Sequence, residues 1–93
     1  MALTNQQIDE GIASLTGWAR DGNAIRREYT FGSFREAISF IVRISFEAEQ
    51  RDHHPELANV YNRVTIRLST HDAGGITEKD FDLARAIDAI NWT

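Results

Sequence analysis

Residues 47–56 read Glu-Ala-Glu-Gln-Arg-Asp-His-His-Pro-Glu, and they hold two of the three histidines in the chain, His53 and His54, side by side. The third, His71, follows a run with the pattern of a strand. An unperturbed imidazole titrates nearer neutral pH than any other side chain, so it can both give and take protons. Two such groups on opposite sides of a small molecule suffice for a dehydration or a tautomerisation by general acid and base. His53 lies just after an expected helix and His71 just after an expected strand, so a fold can bring both loops to one end of a sheet. The competing reading is that His53 and His54 decorate an exposed loop while His71 bonds a backbone carbonyl.

Other chemistries fit less well. A two-histidine, one-carboxylate metal site could be assembled from His53, His71 and Asp52 or Asp80. Adjacent histidines rarely ligate one ion together, and the H-E-x-x-H spacing is absent, so no metal is assigned. No G-x-S-x-G elbow supports a serine hydrolase. The chain has no cysteine, which excludes thiolate catalysis, disulfides and zinc ribbons. Three carboxylates accompany the histidines. Asp80 sits at the third position of an expected helix and could reach back to the Thr77 amide as part of a capping box. Glu49 falls inside an apolar helix arc, at a rim or at a site, where burial would raise its pKa. Asp52 could orient a histidine or balance Arg51.

The elements that must position these residues follow from spacing. Thr4-Asn5-Gln6-Gln7 reads as a capping box opening a helix with Ile8, Ile12 and Leu15 on one face and Gly17 as its stop. Trp18 reads as core. Asp21-Gly22-Asn23 is a turn between two strands, and the second strand alternates Ile25, Arg27, Tyr29 and Phe31 against Arg26, Glu28 and Thr30. Ser33 and Glu36 read as a second capping box, opening a helix that can run to about Arg51. Phe34, Ala37, Ile38, Ile41 and Ala48 form its stripe, flanked by Phe40 and Ile44 on one side and Val42 and Phe46 on the other. That arc is about twice the roughly 100° that one sheet covers. A second subunit is the expected cover for the remainder.

Pro55 stops the helix and biases His54 to extended backbone. Leu57–Tyr61 and Arg63–Thr70 read as strands around a turn at Asn62, with Val64, Ile66 and Leu68 on the core face. Gly74-Gly75 makes a turn. Thr77 and Asp80 cap a last helix, with Ile76 and Phe81 as a hydrophobic staple and Leu83, Ala84, Ile87 and Ile90 on its buried face. The order α-β-β-α-β-β-α predicts a two-layer α+β domain over residues 1–93, an antiparallel sheet covered by helices.

Net charge is −4, and the nine arginines and one lysine are dispersed, so no basic stripe marks a nucleic-acid surface. No leader-like start or spanning apolar run is seen, and the expectation is a cytoplasmic domain with no membrane contact.

Several blocks together resemble the pterin-4a-carbinolamine dehydratases. They are Ala48-Glu49-x-x-Asp52-His53-His54-Pro55-Glu56, Asn59-Val60-Tyr61-Asn62-x-Val64, Leu68-Ser69-Thr70-His71 and Gly75-Ile76-Thr77-x-x-Asp80. Gly17-Trp18 and Phe31-x-x-Phe34-x-x-Ala37 add to the likeness. The resemblance implies a four-stranded antiparallel sheet with three helices, and a homodimer or homotetramer associating through the helix over 33–51. It implies loss of water from a 4a-hydroxytetrahydropterin to give the quinonoid dihydropterin, in recycling the cofactor of aromatic amino-acid hydroxylases. His53 and His71 would then be the acid/base pair and His54 would hold substrate. Glu49, Asp52, Pro55 and Asp80 would line or support the site. No metal or organic cofactor is implied, because the pterin is the substrate. Some animal relatives also bind a homeodomain transcription factor, so a non-catalytic pterin-binding or partner-binding module on the same fold is the alternative. Leu57 stands where many relatives carry an aromatic residue, and Lys79 where some carry Arg.

Overall fold

The computed structural model describes residues 1–90; the last three residues of the expected 1–93 domain lie outside the described residues. The elements run α1 (Asn5–Ala13), β1 (Ala19–Asp21), β2 (Ala24–Thr30), α2 (Phe34–Arg51), β3 (Glu56–Val60), β4 (Arg63–Leu68), a 3-10 turn (His71–Ala73) and α3 (Glu78–Asp88). The expected order and α+β class are borne out: an antiparallel sheet in the order β1-β2-β4-β3 is packed against helices. Among the described residues, no helix is long and apolar enough to cross a membrane.

Alternation fixes which sheet face is covered. Ile25, Val64, Ile66 and Leu68 are buried, while Arg26, Glu28 and Arg63 point to water. The register sets Ile25 against Leu68 and Ile66 against Arg27 and Leu57, so the apolar side chains of β2 and β4 form one surface. Phe40 and Ile44 of α2 and Phe81, Leu83, Ala84 and Ile87 of α3 close over it. The Phe40 ring lies 4.6 Å from Tyr29 and 5.0 Å from Phe31, centroid to centroid. Helix α1 comes close enough to α3 that a Cβ on Gly11 would stand 2.5 Å from the Phe81 ring.

The ends of the helices follow local chemistry, with two corrections. Both threonine capping boxes form, Thr4 with Gln7 and Thr77 with Asp80. At Ser33 only half of the expected box is made. The Ser33 hydroxyl accepts from the Glu36 amide, but the Glu36 carboxylate accepts from Gly32 N–H at 2.9 Å instead of from the cap residue. Helix α1 ends at Ala13, before the expected stop at Gly17. Gly17, at φ +85°, turns the chain into Trp18, in a conformation that glycine adopts without a Cβ penalty.

The wide apolar arc of α2 divides. Its Ala37, Phe40, Ile44 and Ala48 side is buried, whereas Phe34, Ile38, Val42 and Phe46 are exposed. A helix lying on one sheet can bury only about 100° of its circumference, and here the sheet takes the Phe40/Ile44 flank. Glu49 belongs to the other half. It is not buried: its side chain is 73 % exposed.

Candidate active site

The C-terminal end of α2, the C-terminal end of β4 and the N-terminal end of α3 meet at one edge of the fold. Asp52 ends α2 in the left-handed conformation, φ 50°, and its amide bonds the last helical carbonyls. That reversal sends His53 inward, where it is 9 % exposed, and leaves His54 outside. Antiparallel pairing of Glu56 with Arg67 brings the start of β3 beside the end of β4. The chain leaving β4 therefore delivers Ser69, Thr70 and His71 opposite His53. Thr70 is held in place by a two-way backbone bridge to Gly75.

A cavity of about 250 Å³ lies between these segments, lined by Asp52, His53, His54, Ser69, Thr70, His71, Asp72 and Lys79. All three histidines border it. His53 is anchored from behind: its Nε2 lies 2.6 Å from Oδ1 of Asp80, which is fully buried. Asp80 does more than cap α3. Its Oδ2 accepts from the Thr77 amide at 2.9 Å and from the Thr70 hydroxyl at 3.0 Å. His71 is exposed, and its ring makes no hydrogen bond among the described residues, so the alternative in which it bonds a carbonyl is not what the structure contains. Its backbone carbonyl instead accepts from Gly74 N–H.

His54 separates this cavity from a second, more apolar one of about 450 Å³, lined by Ile44, Ser45, Ala48, Glu49, His54, Pro55 and Leu57. Here Glu49 Oε2 lies 2.7 Å from His54 Nε2, in an exposed pair. The expected site residues therefore fall into three places. Asp52, His53, His54 and His71 border the smaller cavity, Asp80 stands behind His53, and Glu49 and Pro55 lie on the far side of His54. Neither reading of Asp52 holds: it makes no side-chain hydrogen bond to a histidine, and Arg51 pairs with Glu47 and Asp82. As for the metal alternative, no group of three His, Asp or Glu side chains converges as a ligand set among the described residues.

Sequence reasoning passed over Thr70. The signal was parity: Val64, Ile66 and Leu68 mark the core face of β4, and the next position of that parity is Thr70, a hydroxyl where an apolar side chain is expected. It is buried, and Thr77, read only as a cap, lies 2.7 Å from it, hydroxyl to hydroxyl. Ser69, Asp72 and Lys79 were also not singled out as cavity walls.

The arrangement can do proton chemistry. It pairs an anchored imidazole with a free one across a small polar cavity, with a buried carboxylate behind the first. The sequence and the fold have known counterparts. The chain belongs to the pterin 4 alpha carbinolamine dehydratase family, whose model matches residues 1–90. A protein of Opitutus terrae, provisionally named a pterin-4-alpha-carbinolamine dehydratase, is 56 % identical over 91 residues, covering 97 % of this chain and 94 % of its own. One of a Bradyrhizobium species with the same provisional name is 54 % identical over 90 residues, covering 95 % and 90 %. The crystal structure of a transcriptional coactivator/pterin dehydratase from Brucella melitensis superposes with a TM-score of 0.93 at 38 % identity, covering 96 % of this chain and 97 % of that one. A pterin dehydratase-like RuBisCO assembly factor of the alpha-carboxysome shares the fold, with a TM-score of 0.67 at 22 % identity over 78 % and 87 % of the two chains.

Proposed function

We propose that this protein eliminates water from a 4a-hydroxytetrahydropterin to give the quinonoid dihydropterin. One imidazole of the His53/His71 pair gives a proton to the C4a hydroxyl, which leaves as water. The other takes the N5 proton, and the electron pair of that N–H bond closes the C4a=N5 double bond. No electrons enter or leave, and no metal or organic cofactor takes part. Asp80 orients His53, His54 holds the pterin with Glu49 as its support, and Asp52 and Pro55 contribute walls.

The observation that carries this reading is the convergence of all three histidines on one small cavity, in a chain of this family. We place the reaction in the recycling of the pterin cofactor of an aromatic amino-acid hydroxylase, in the cytoplasm. The exposed Phe34, Ile38, Val42 and Phe46 face of α2 supports association as a homodimer or homotetramer. The same face supports a second reading, a partner-binding module, in line with the coactivator designation of the Brucella neighbour.

The test is to add the purified protein to freshly generated 4a-hydroxytetrahydropterin and follow quinonoid dihydropterin by absorbance. The intact protein accelerates the dehydration, and His53→Ala loses on the order of 10²–10⁴-fold in rate. No acceleration by the intact protein overturns the reading in favour of the partner-binding one.

A further inference from the structure

We infer that Thr70 is a positioning residue. Held by Thr77, it acts through Asp80 to set the tautomer and orientation of His53. A threonine hydroxyl has one proton to give, and an ionised carboxylate has none. Asp80 Oδ2 lies 3.0 Å from the Thr70 hydroxyl, which donates to it. The proton of Thr70 is then committed, so the 2.7 Å contact between the two hydroxyls is donated by Thr77. The Thr77 oxygen in turn accepts from the Lys79 amide at 3.2 Å. Hydrogen bonds thus run in one direction, from the first turn of α3 through Thr77 and Thr70 into Asp80. The Thr77 amide adds a second donor to the same carboxylate oxygen at 2.9 Å.

With Oδ2 occupied by two donors, Oδ1 is the oxygen left for His53, 2.6 Å from Nε2. A carboxylate can only accept, so the Nε2 atom carries the hydrogen, and Nδ1 of the neutral ring keeps its lone pair. Nδ1 makes no protein hydrogen bond among the described residues. Nor do those residues contain a buried side-chain nitrogen lacking a partner, so Nδ1 is open to the outside. Thr70 itself cannot drift, because its backbone is tied in both directions to Gly75. Without its hydroxyl, Oδ2 of Asp80 is held by the Thr77 amide alone, and Oδ1 only by the His53 ring it is meant to orient. The carboxylate can then swing, and the His53 ring is released to sample both tautomers. The inference leans on the dehydratase reading only for its catalytic consequence.

The experiment is ¹⁵N-resolved NMR of the imidazole rings in the intact chain, in Thr70→Val and in Thr70→Ser, with dehydration kinetics on the same samples. The intact chain shows neutral His53 as the Nε2–H tautomer alone. Thr70→Val, which keeps the shape and removes the hydroxyl, shows a second tautomer, and Thr70→Ser returns the single one. In the kinetics, kcat of Thr70→Val falls roughly 10-fold with KM little changed, the scale seen when a partner that orients a functional histidine is removed. An Nδ1–H tautomer in the intact chain overturns the inference without any variant having to fold, and so does a single unchanged tautomer in a folded Thr70→Val. Absence of dehydration by the intact chain defeats the functional reading and leaves the tautomer result to decide this one.

Discussion

Asp80 in the first turn of α3 and Asp88 at its end each gather hydrogen bonds from three other residues. Asp88 accepts from Trp18 Nε1 and Arg27 Nη1, both at 2.9 Å, and from the Tyr29 hydroxyl. Asp80 accepts from Thr77 and Thr70 and pairs with His53. The number of bonds is the same, but the partners differ in what they have left over. At Asp88 the indole N–H has no second valence, Arg27 spends another donor on the Thr16 carbonyl and lies 4.2 Å over the Tyr29 ring, and the phenol gives its only proton. That end is a clasp holding α3 to β2. At Asp80 one partner is an imidazole whose second nitrogen remains open beside a cavity. A dense polar network marks a reactive place only when one of its members can still take or give a proton, which the imidazole can and the guanidinium cannot.

The largest effect is expected at Asp80. Asp80→Asn keeps the shape but offers an amide where acceptors are needed. It should cost on the order of 10²–10⁴-fold in dehydration rate, as for loss of a properly held acid or base. It should also cost about 1–3 kcal/mol in stability from the unsatisfied donors. Asp88→Asn should cost about 1–3 kcal/mol in a urea titration, with the dehydration rate of the folded protein unchanged. If Asp88→Asn loses activity as Asp80→Asn does, the two ends are not functionally distinct.

A smaller effect is expected at Tyr29. The Tyr29 phenol holds its proton more tightly than an ordinary tyrosine. Burial contributes most, then its hydrogen bond to Asp88 and the charge of that carboxylate, opposed by the charge of Arg27. The unfolded chain therefore loses this proton first. The clasp contributes its full stability below the ordinary value of 10.0 and loses it as pH rises beyond that. Tyr29→Phe should lower stability by about 1 kcal/mol near neutrality and flatten the alkaline decline. Urea midpoints measured on both sides of pH 10 decide this, and an unflattened decline in the variant removes Tyr29 from the clasp.

Much of the fold was legible because it rests on short-range rules. Thr4 with Gln7 and Thr77 with Asp80 fix helix starts through atoms three residues apart. The two-residue alternation of Val64, Ile66 and Leu68 fixes the buried face of β4. Helix faces were less legible. The α2 arc offers more apolar surface than a sheet can cover, so periodicity alone could not say which half would be buried or that Glu49 would be left in solvent. Of the site, the histidines announced themselves by type. Thr70 did not, since a threonine next to a strand end reads as ordinary until its burial is seen.

The sequence by itself determined the element order, the helix caps, the buried face of the sheet and the three imidazoles available for proton chemistry, because each depends on residue type and spacing within a few positions. The tertiary structure decided that those imidazoles share one cavity and that Asp80 stands behind His53, 27 residues away along the chain. It likewise decided that Asp88 closes on Tyr29 across 59 residues. Those relations are set by how α2 and α3 pack on the sheet. Such packing follows from burying the whole apolar surface at once, and no local pattern encodes it.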